Sequence, residues 1–393
     1  MDIATLKSQI SDWIDAHSRE LCDLSRSIHD NPELGFHEHQ AAEWLAGYLA
    51  QNGFRVERGL YGLPTSFKAT FGEGHPALAF LAEYDALPQL GHACGHNLIG
   101  VSSAAAGVAA RAAAEALGGR ILVIGTPAEE LYGGKVTMAQ KGAFTDLDAA
   151  MMVHPGSRDS AVTEALACQG LTVEFFGKSA HAAARPERGV NALAALIISF
   201  NSLDALRQHI SSKARVHGII TDGGQAANVV PAHSAASFLV RAGDMTYLEE
   251  VKEKVLNCFK GAAVATGCRL EHKWDELCYA PMLNNLTLGR LFVKNLRQLG
   301  RKAKLIDRDK SFGSTDFGNV SQLVPGIHAS VGITQRGVVS HSPQFAEAAV
   351  SEKGFKGMLD AAKALAMTAA DLLAEPANLE KAQDEFKRQR QFG

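Results

Sequence analysis

Three runs of this chain are apolar almost without interruption: "ALAFLAEYD" (residues 77–85), "RILVIGTPAEE" (120–130) and "DAAMMVHPG" (148–156). A strand with one wet face alternates apolar and polar residues. A strand without that alternation is buried on both faces, as in a parallel sheet covered by helices on each side. Helical patterns separate the runs, so the fold class expected is α/β with a mostly parallel sheet. Each run also ends in reactive side chains: Glu83 and Asp85, Glu129 and Glu130, and His154. In open sheets of this class, sites form beyond the carboxyl ends of the strands. Separate segments therefore deliver acids and an imidazole to one rim. "QLGHACGHN" (89–97) adds Cys94 and His96 soon after the first run, and "VVSHSPQF" (338–345) adds His341.

Elsewhere the periodicity predicts one long helix over residues 3–28, a second over 37–52 closed by Gly53, and a small-residue helix over 100–117. The middle of the chain changes character. "LTVEFFGKSAH", "GVNALAALIISFNSLDALRQ", "ARVHGIIT", "HSAASFLVRA", "TYLEEVKEKVLNCFKGAAVAT" and "CRLEHKWDELCY" read as strand, helix, strand, strand, helix, strand. That order is the ferredoxin-like α+β arrangement. After it come a helix over 286–299 and strands at "KAKLID" and "IHASVGI". The simplest organisation is a catalytic α/β domain of residues 1–168 and 281–393, interrupted by an inserted domain of residues 169–280. A length of 393 residues is in keeping with two domains.

Composition narrows the partners. A net charge of −3 gives no electrostatic case for nucleic acid or an anionic membrane. The richest small-apolar stretch, residues 101–117, is broken by Arg111 and Glu115, so no span of a bilayer is expected. "MDIATLKSQISDWIDAHSRE" lacks the basic-then-apolar pattern of a signal peptide. Six scattered cysteines form no dense framework, which reads as a cytoplasmic protein with reduced thiols.

Cys94 and His96 are two apart, and in an extended stretch both side chains point the same way. Glu129 and Glu130 are adjacent and would point to different sides, one for a metal and one as a base. Thiolate, imidazole and carboxylate together are the donors zinc prefers, and the thiolate argues against magnesium or calcium. A second reading makes Cys94 a nucleophile with His92 or His96 as its base. It leaves Glu129, Glu130, His154 and His341 without a task. The plain reading of Cys94 is a small buried hydrophobe. Likewise Asp85 reads plainly as a turn residue, His181 as an exposed loop histidine, and Arg241 as structural.

Taken in order, "LAEYDALP…GHACGHN", "GTPAEE", "MMVHP", "GKSAHAA", "ANVVP", "GSTDFG…VPG" and "SHSPQF" resemble the di-metal amidohydrolase family over essentially the whole chain. That family includes aminoacylase, carboxypeptidase G, hippurate hydrolase and the auxin–amino acid conjugate hydrolases. The chain looks closest to the branch of aminobenzoyl-glutamate hydrolase and β-alanyl dipeptidase-like enzymes. It has "CGHN" where the auxin-conjugate branch has "CGHD". The resemblance implies that Cys94, His96, Glu130, His154 and His341 hold two divalent ions per chain, zinc first, with manganese or cobalt as alternatives. It implies that Asp85 orients a ligand imidazole and that Glu129 is the general base beside a metal-bridging hydroxide. His181 would reach the scissile carbonyl, and Asn228, Arg241, Gly313 and Ser314 would grip the substrate carboxylate. It further implies a homodimer through the inserted domain, which would serve as a lid. The substrate would be a small amide beside a free carboxylate: an N-acyl amino acid, an aminobenzoyl-glutamate-like conjugate or a short dipeptide. A non-catalytic ligand-binding relative would have lost a ligand or the base, and this chain keeps them all.

Overall fold

The computed structural model describes residues 2–307 and 313–392. In chain order the strands are β1 (Arg55–Arg58), β2 (Phe67–Glu73), β3 (Ala77–Ala82), β4 (Gly119–Gly125), β5 (Ala149–Gly156), β6 (Ser160–Val162), β7 (Ala167–Phe176), β8 (Arg215–Asp222), β9 (His233–Ala242), β10 (Arg269–Tyr279), β11 (Lys304–Ile306) and β12 (Gly326–Gly332). The chain divides into two compact units, one of Met1–Glu164, Met282–Ser311 and Thr315–Gly393, the other of Ala165–Pro281 with Phe312–Ser314.

The first unit is built on one sheet in the order β1-β2-β4-β3-β5-β12-β6-β11. Its centre, β4-β3-β5-β12, is parallel, while β1 and β2 add antiparallel strands at one edge. The missing alternation in the central runs has its expected cause. Leu78, Phe80 and Ala82 of β3 pack into one core, and Ala77, Ala79 and Leu81 pack into another on the opposite face. The helix His96–Leu117 belongs to the first of these cores and is buried over most of its length. Its small side chains permit close approach: a Cβ on Gly107 would lie 2.3 Å from Val123 Cγ2 of β4. The alanine-rich helix Glu352–Ala374 packs against it within the same core. The helix His96–Leu117 thus sits inside along most of its length and carries a candidate site residue, His96, at its first position.

Local readings needed three corrections. The N-terminal helix is two helices, Ile3–Ala16 and Ser18–Asp30. Between them His17 leaves helical geometry, stacks on Trp13 and turns its Nδ1 to the Trp13 carbonyl at 2.7 Å. The small-residue helix begins at His96, with Gly95 in the left-handed region, so Cys94 and His96 do not share an extended stretch. Glu129 and Glu130 open a short helix, Glu129–Tyr132, and diverge because successive helical residues are rotated about the axis.

The second unit is a four-stranded antiparallel sheet in the order β10-β7-β9-β8. Leu171, Val173 and Phe175 of β7 and Ala236, Phe238 and Val240 of β9 face the helices Ala192–Arg207 and Met245–Thr266 in its core. The alternate residues, among them Cys168 and Arg241, point to the other face. Among the described residues no helix is long and apolar enough to cross a membrane.

Candidate active site

The end of β3, the turn before the helix His96–Leu117, the turn after β4, the end of β5 and the segment before the helix Pro343–Ala348 converge in the first unit. Cys94 Sγ lies 3.3 Å from His154 Nε2. His96 Nδ1 bonds Asp85 Oδ1 at 2.8 Å, and the other oxygen of Asp85 accepts the Glu130 N–H at 3.0 Å. His341 Nε2 meets Glu130 Oε2 at 3.2 Å. Donor atoms of Cys94, His96 and His154, of Cys94, Glu130 and His341, and of His96, Glu129 and Glu130 each lie within 4.8 Å of one another. All five residues expected to hold metal are thus in one cluster, with Glu129 beside it.

Backbone geometry explains how so many donors meet. Gly95 has φ 78°, and a Cβ there would fall 2.6 Å from Pro155 Cγ. Only glycine lets the Cys94–His96 turn approach the end of β5 so closely. His341 and Ala128 adopt positive φ without being glycine, at 64° and 60°. Strain of this kind persists only where the surroundings over-determine it. Ala128 is held by its N–H to Glu38 Oε1 at 2.8 Å, which aims the following Glu129–Glu130 pair.

The imidazole tautomers follow from their partners. Asp85 on Nδ1 of His96 turns Nε2 toward Glu130. The Pro155 carbonyl on Nδ1 of His154 leaves Nε2 facing Cys94. Carboxylate or carbonyl support of a ligand histidine is the usual way its lone pair is directed at a metal. Burial alone would push His96 down, but the Asp85 carboxylate outweighs it and raises the imidazole well above its usual range. The hydrogen bond to Glu130 raises His341 as well. Burial pushes the Cys94 thiol up. Glu129 is raised by burial and by the nearby charges of Glu83, Asp316 and Glu130. The cluster is therefore short of positive charge. Divalent ions fit it on a direct observation: His96 Nε2 and Glu130 Oε1 are buried, make no hydrogen bond, and face each other at 3.6 Å. Such atoms are costly unless a cation joins them.

Asn97 has a structural task. Its Nδ2 donates to Ser25 Oγ at 3.0 Å and to the Ala349 carbonyl at 3.2 Å, tying three segments together behind the turn that carries Cys94 and His96. Three residues that sequence reasoning had left without a role lie beside Glu129. Glu83 follows β3, Lys135 lies in the first turn of the helix Gly134–Gln140, and Asp316 precedes the helix Phe317–Ser321. Glu83 was visible in the sequence as an acid closing an apolar run, whereas nothing local marked Lys135 or Asp316.

Glu38 supplies a pH test of this scaffold. Burial pushes its carboxyl from 4.5 to about 7. As pH rises, the unfolded chain releases this proton before the folded one does, so the contribution to stability is lost between those values. Tm measured from pH 5 to 7 should fall less steeply in Glu38→Gln than in the wild type. Equal slopes would mean that Glu38 is ionised throughout.

In the second unit, Arg241 donates to Ser314 Oγ at 2.7 Å, and Ser314 donates to the Leu166 carbonyl at 2.9 Å. Gly313 accepts the Leu166 N–H at 2.8 Å, so its backbone is used in holding this corner. His181 is exposed, and its Nδ1 accepts from the Ala183 and Ala184 N–H groups at 3.3 and 3.2 Å. The ring proton is thereby assigned to Nε2. Asn228 lies alongside, its carbonyl accepting the Ala182 N–H at 3.0 Å.

Residues 79–364 match the family model "Peptidase family M20/M25/M40". A Xaa-Arg dipeptidase of Mus musculus is 39% identical over 404 residues, covering 98% of this chain and 93% of that protein. A p-aminobenzoyl-glutamate hydrolase chain of Escherichia coli K12 is 31% identical, covering 96% of this chain and 94% of its own. A dinuclear metal-binding peptidase of the M20 family from Bacillus subtilis superposes with a TM-score of 0.73 at 20% identity, over 92% of this chain and 99% of its own. That last likeness is one of fold.

Proposed function

Because the chain belongs to peptidase family M20/M25/M40 and is a metal-dependent hydrolase of amide bonds, we propose that it cleaves short dipeptides or N-acyl amino acids beside a free carboxylate. The observation that carries this reading is the convergence of Cys94, His96, Glu130, His154 and His341 with Glu129 at their side. Two zinc ions, or manganese or cobalt, would be held by those five residues. When bound, such ions polarise a carbonyl and lower the pKa of a coordinated water to about 7.

The chain's own groups do the rest. Asp85 fixes His96 and, through the Glu130 N–H, the start of the glutamate helix. Glu129 takes the proton of the attacking water and returns it to the departing amine. His181, with its proton on Nε2, donates to the developing oxyanion. Asn228, Arg241, Ser314 and Gly313 hold the substrate carboxylate, with Arg241 making the charged contact. The ferredoxin-like insertion, residues 169–280, serves as lid and as the contact of a homodimer.

The open face of the second unit's sheet supports a basic residue at the carboxyl end of the substrate. The Asp275 carboxylate occupies the space over Gly170, 1.8 Å from where a Cβ would stand. Arg241 faces Cys168, two residues along β7. Neither charge makes an ion pair among the described residues. Asp275 on β10 and Arg241 on β9 flank β7 from its two sides, so a substrate lying over β7 would meet a carboxylate on one side and a guanidinium on the other. The relatives' name, Xaa-Arg dipeptidase, agrees with that chemistry.

Chelation tests the reading. Hydrolysis of a panel of dipeptides and N-acyl amino acids should be lost with chelator and return with zinc, manganese or cobalt. Activity that survives chelation but dies on thiol alkylation would make Cys94 a nucleophile instead. In the same panel, Asp275→Asn should lower kcat/KM about tenfold for peptides ending in arginine or lysine, roughly one charge contact. An equal loss on neutral peptides would remove Asp275 from substrate recognition.

A further inference from the structure

We propose that Lys135 is a built-in cation. Its ammonium fills a third cation position beside the two-ion centre and thereby keeps Glu129 available as the base. Lys135 is thus a positioning residue, and this inference rests on the di-metal reading above.

The geometry is fully internal. The Lys135 side chain is buried completely, as are those of Glu83 and Asp316. Its Nζ lies 2.6 Å from Glu83 Oε1 and 2.8 Å from Asp316 Oδ1. The Lys135 backbone N–H donates to the second oxygen of Asp316 at 2.9 Å. Oxygens of Glu83, Glu129 and Asp316 lie within 4.8 Å of one another. Three carboxylate oxygens at that separation are what a hard divalent ion takes as ligands. The ammonium is already there. It is held in place by a tight fold of the chain: a Cβ on Gly134 would come within 1.9 Å of the Pro127 carbonyl, so the helix carrying Lys135 lies directly against the turn carrying Glu129.

A buried lysine has two possible tasks here. It can balance charge, which any neutral pairing would replace. Or it can exclude a metal from the carboxylates, which only a cation can do. The second task has a chemical consequence. An ion drawn in by Glu83, Glu129 and Asp316 would convert Glu129 from a base into a ligand. Glu83 also lies 3.6 Å from His96 Nε2, so an ion there would compete for the same imidazole.

The experiment compares the holoenzyme with Lys135→Met, which keeps length and apolar stem but has no charge. After incubation with manganese and removal of loose metal, the wild type should hold two ions per chain and the variant close to three. The kcat of the variant should fall at least 30-fold with KM within threefold. A folded variant with two ions per chain overturns the proposal. If Lys135→Met does not fold, Lys135→Met/Asp316→Asn removes the charges as a pair. This double variant should fold and, with Glu83 and Glu129 left facing no ammonium, should still take up more than two ions per chain and lose at least 30-fold in kcat. Wild-type kcat in the double variant also overturns the proposal. The parallel wild-type measurements separate the two readings. Two ions and chelator-sensitive hydrolysis uphold the function whatever Lys135 does, whereas a metal-free, chelator-resistant wild type overturns both.

Discussion

Glu129→Gln should retain its metal ions and lose about 10³-fold in kcat, within the range that general acid–base catalysis contributes. The substitution keeps the side chain's size and one acceptor oxygen, so the turn after Ala128 should be unchanged. What it removes is the ability to accept and return a proton. Burial and the charges of Glu83, Asp316 and Glu130 raise this carboxyl well above the ordinary range, which marks a group poised for proton transfer rather than a solvated acid. Metal analysis and turnover on a single preparation check it. Glu130→Gln provides the contrast, because Glu130 touches both His96 and His341 and its loss should appear first in metal content. If Glu129→Gln loses metal while Glu130→Gln keeps it, the two glutamates have exchanged roles.

Cys94→Ser should bring metal content clearly below two ions per chain and lower kcat/KM by at least about 100-fold at limiting metal, the upper end of what weaker metal support costs. Cys94 belongs to two of the donor groups, one with His96 and His154 and one with Glu130 and His341. A serine oxygen is a poorer ligand for soft and borderline ions than a thiolate. The same measurement separates the metal and nucleophile readings. A nucleophilic cysteine has its thiolate stabilised by its surroundings, whereas burial pushes the Cys94 thiol up. A bound cation reverses that balance. Excess zinc should therefore restore part of the activity of Cys94→Ser, which no nucleophile variant would show.

The central sheet was legible because its physics is local. β3 reads as an unbroken apolar run since its two faces fill two different cores. The rim followed from it, as every run that ended in an acid or histidine ended at one edge of the sheet. Other features had no local signal. The break at His17 depends on a side chain taking the Trp13 carbonyl, against a periodicity that continues on both sides. The left-handed Gly95 is required by Pro155, which approaches it from β5. Lys135 and Asp316 are 181 positions apart, and nothing in "GGKVTM" or "GSTDFG" says that they meet. Charges buried as a set are visible only once the fold has assembled them.

The Asn97 tie also changes how the beginning of the chain should be regarded. Through Ser25, the helix Ser18–Asp30 is fastened to the turn that presents His96, and through Ala349 so is the loop ahead of the helix Glu352–Ala374. Two stretches remote from the chemistry thus act as the back wall of a vice whose jaws are the proposed ligands. A shortened or tagged version of this protein that disturbs its opening helices should loosen the cluster without touching any of the five proposed ligands, and would be mistaken for damage to the active site.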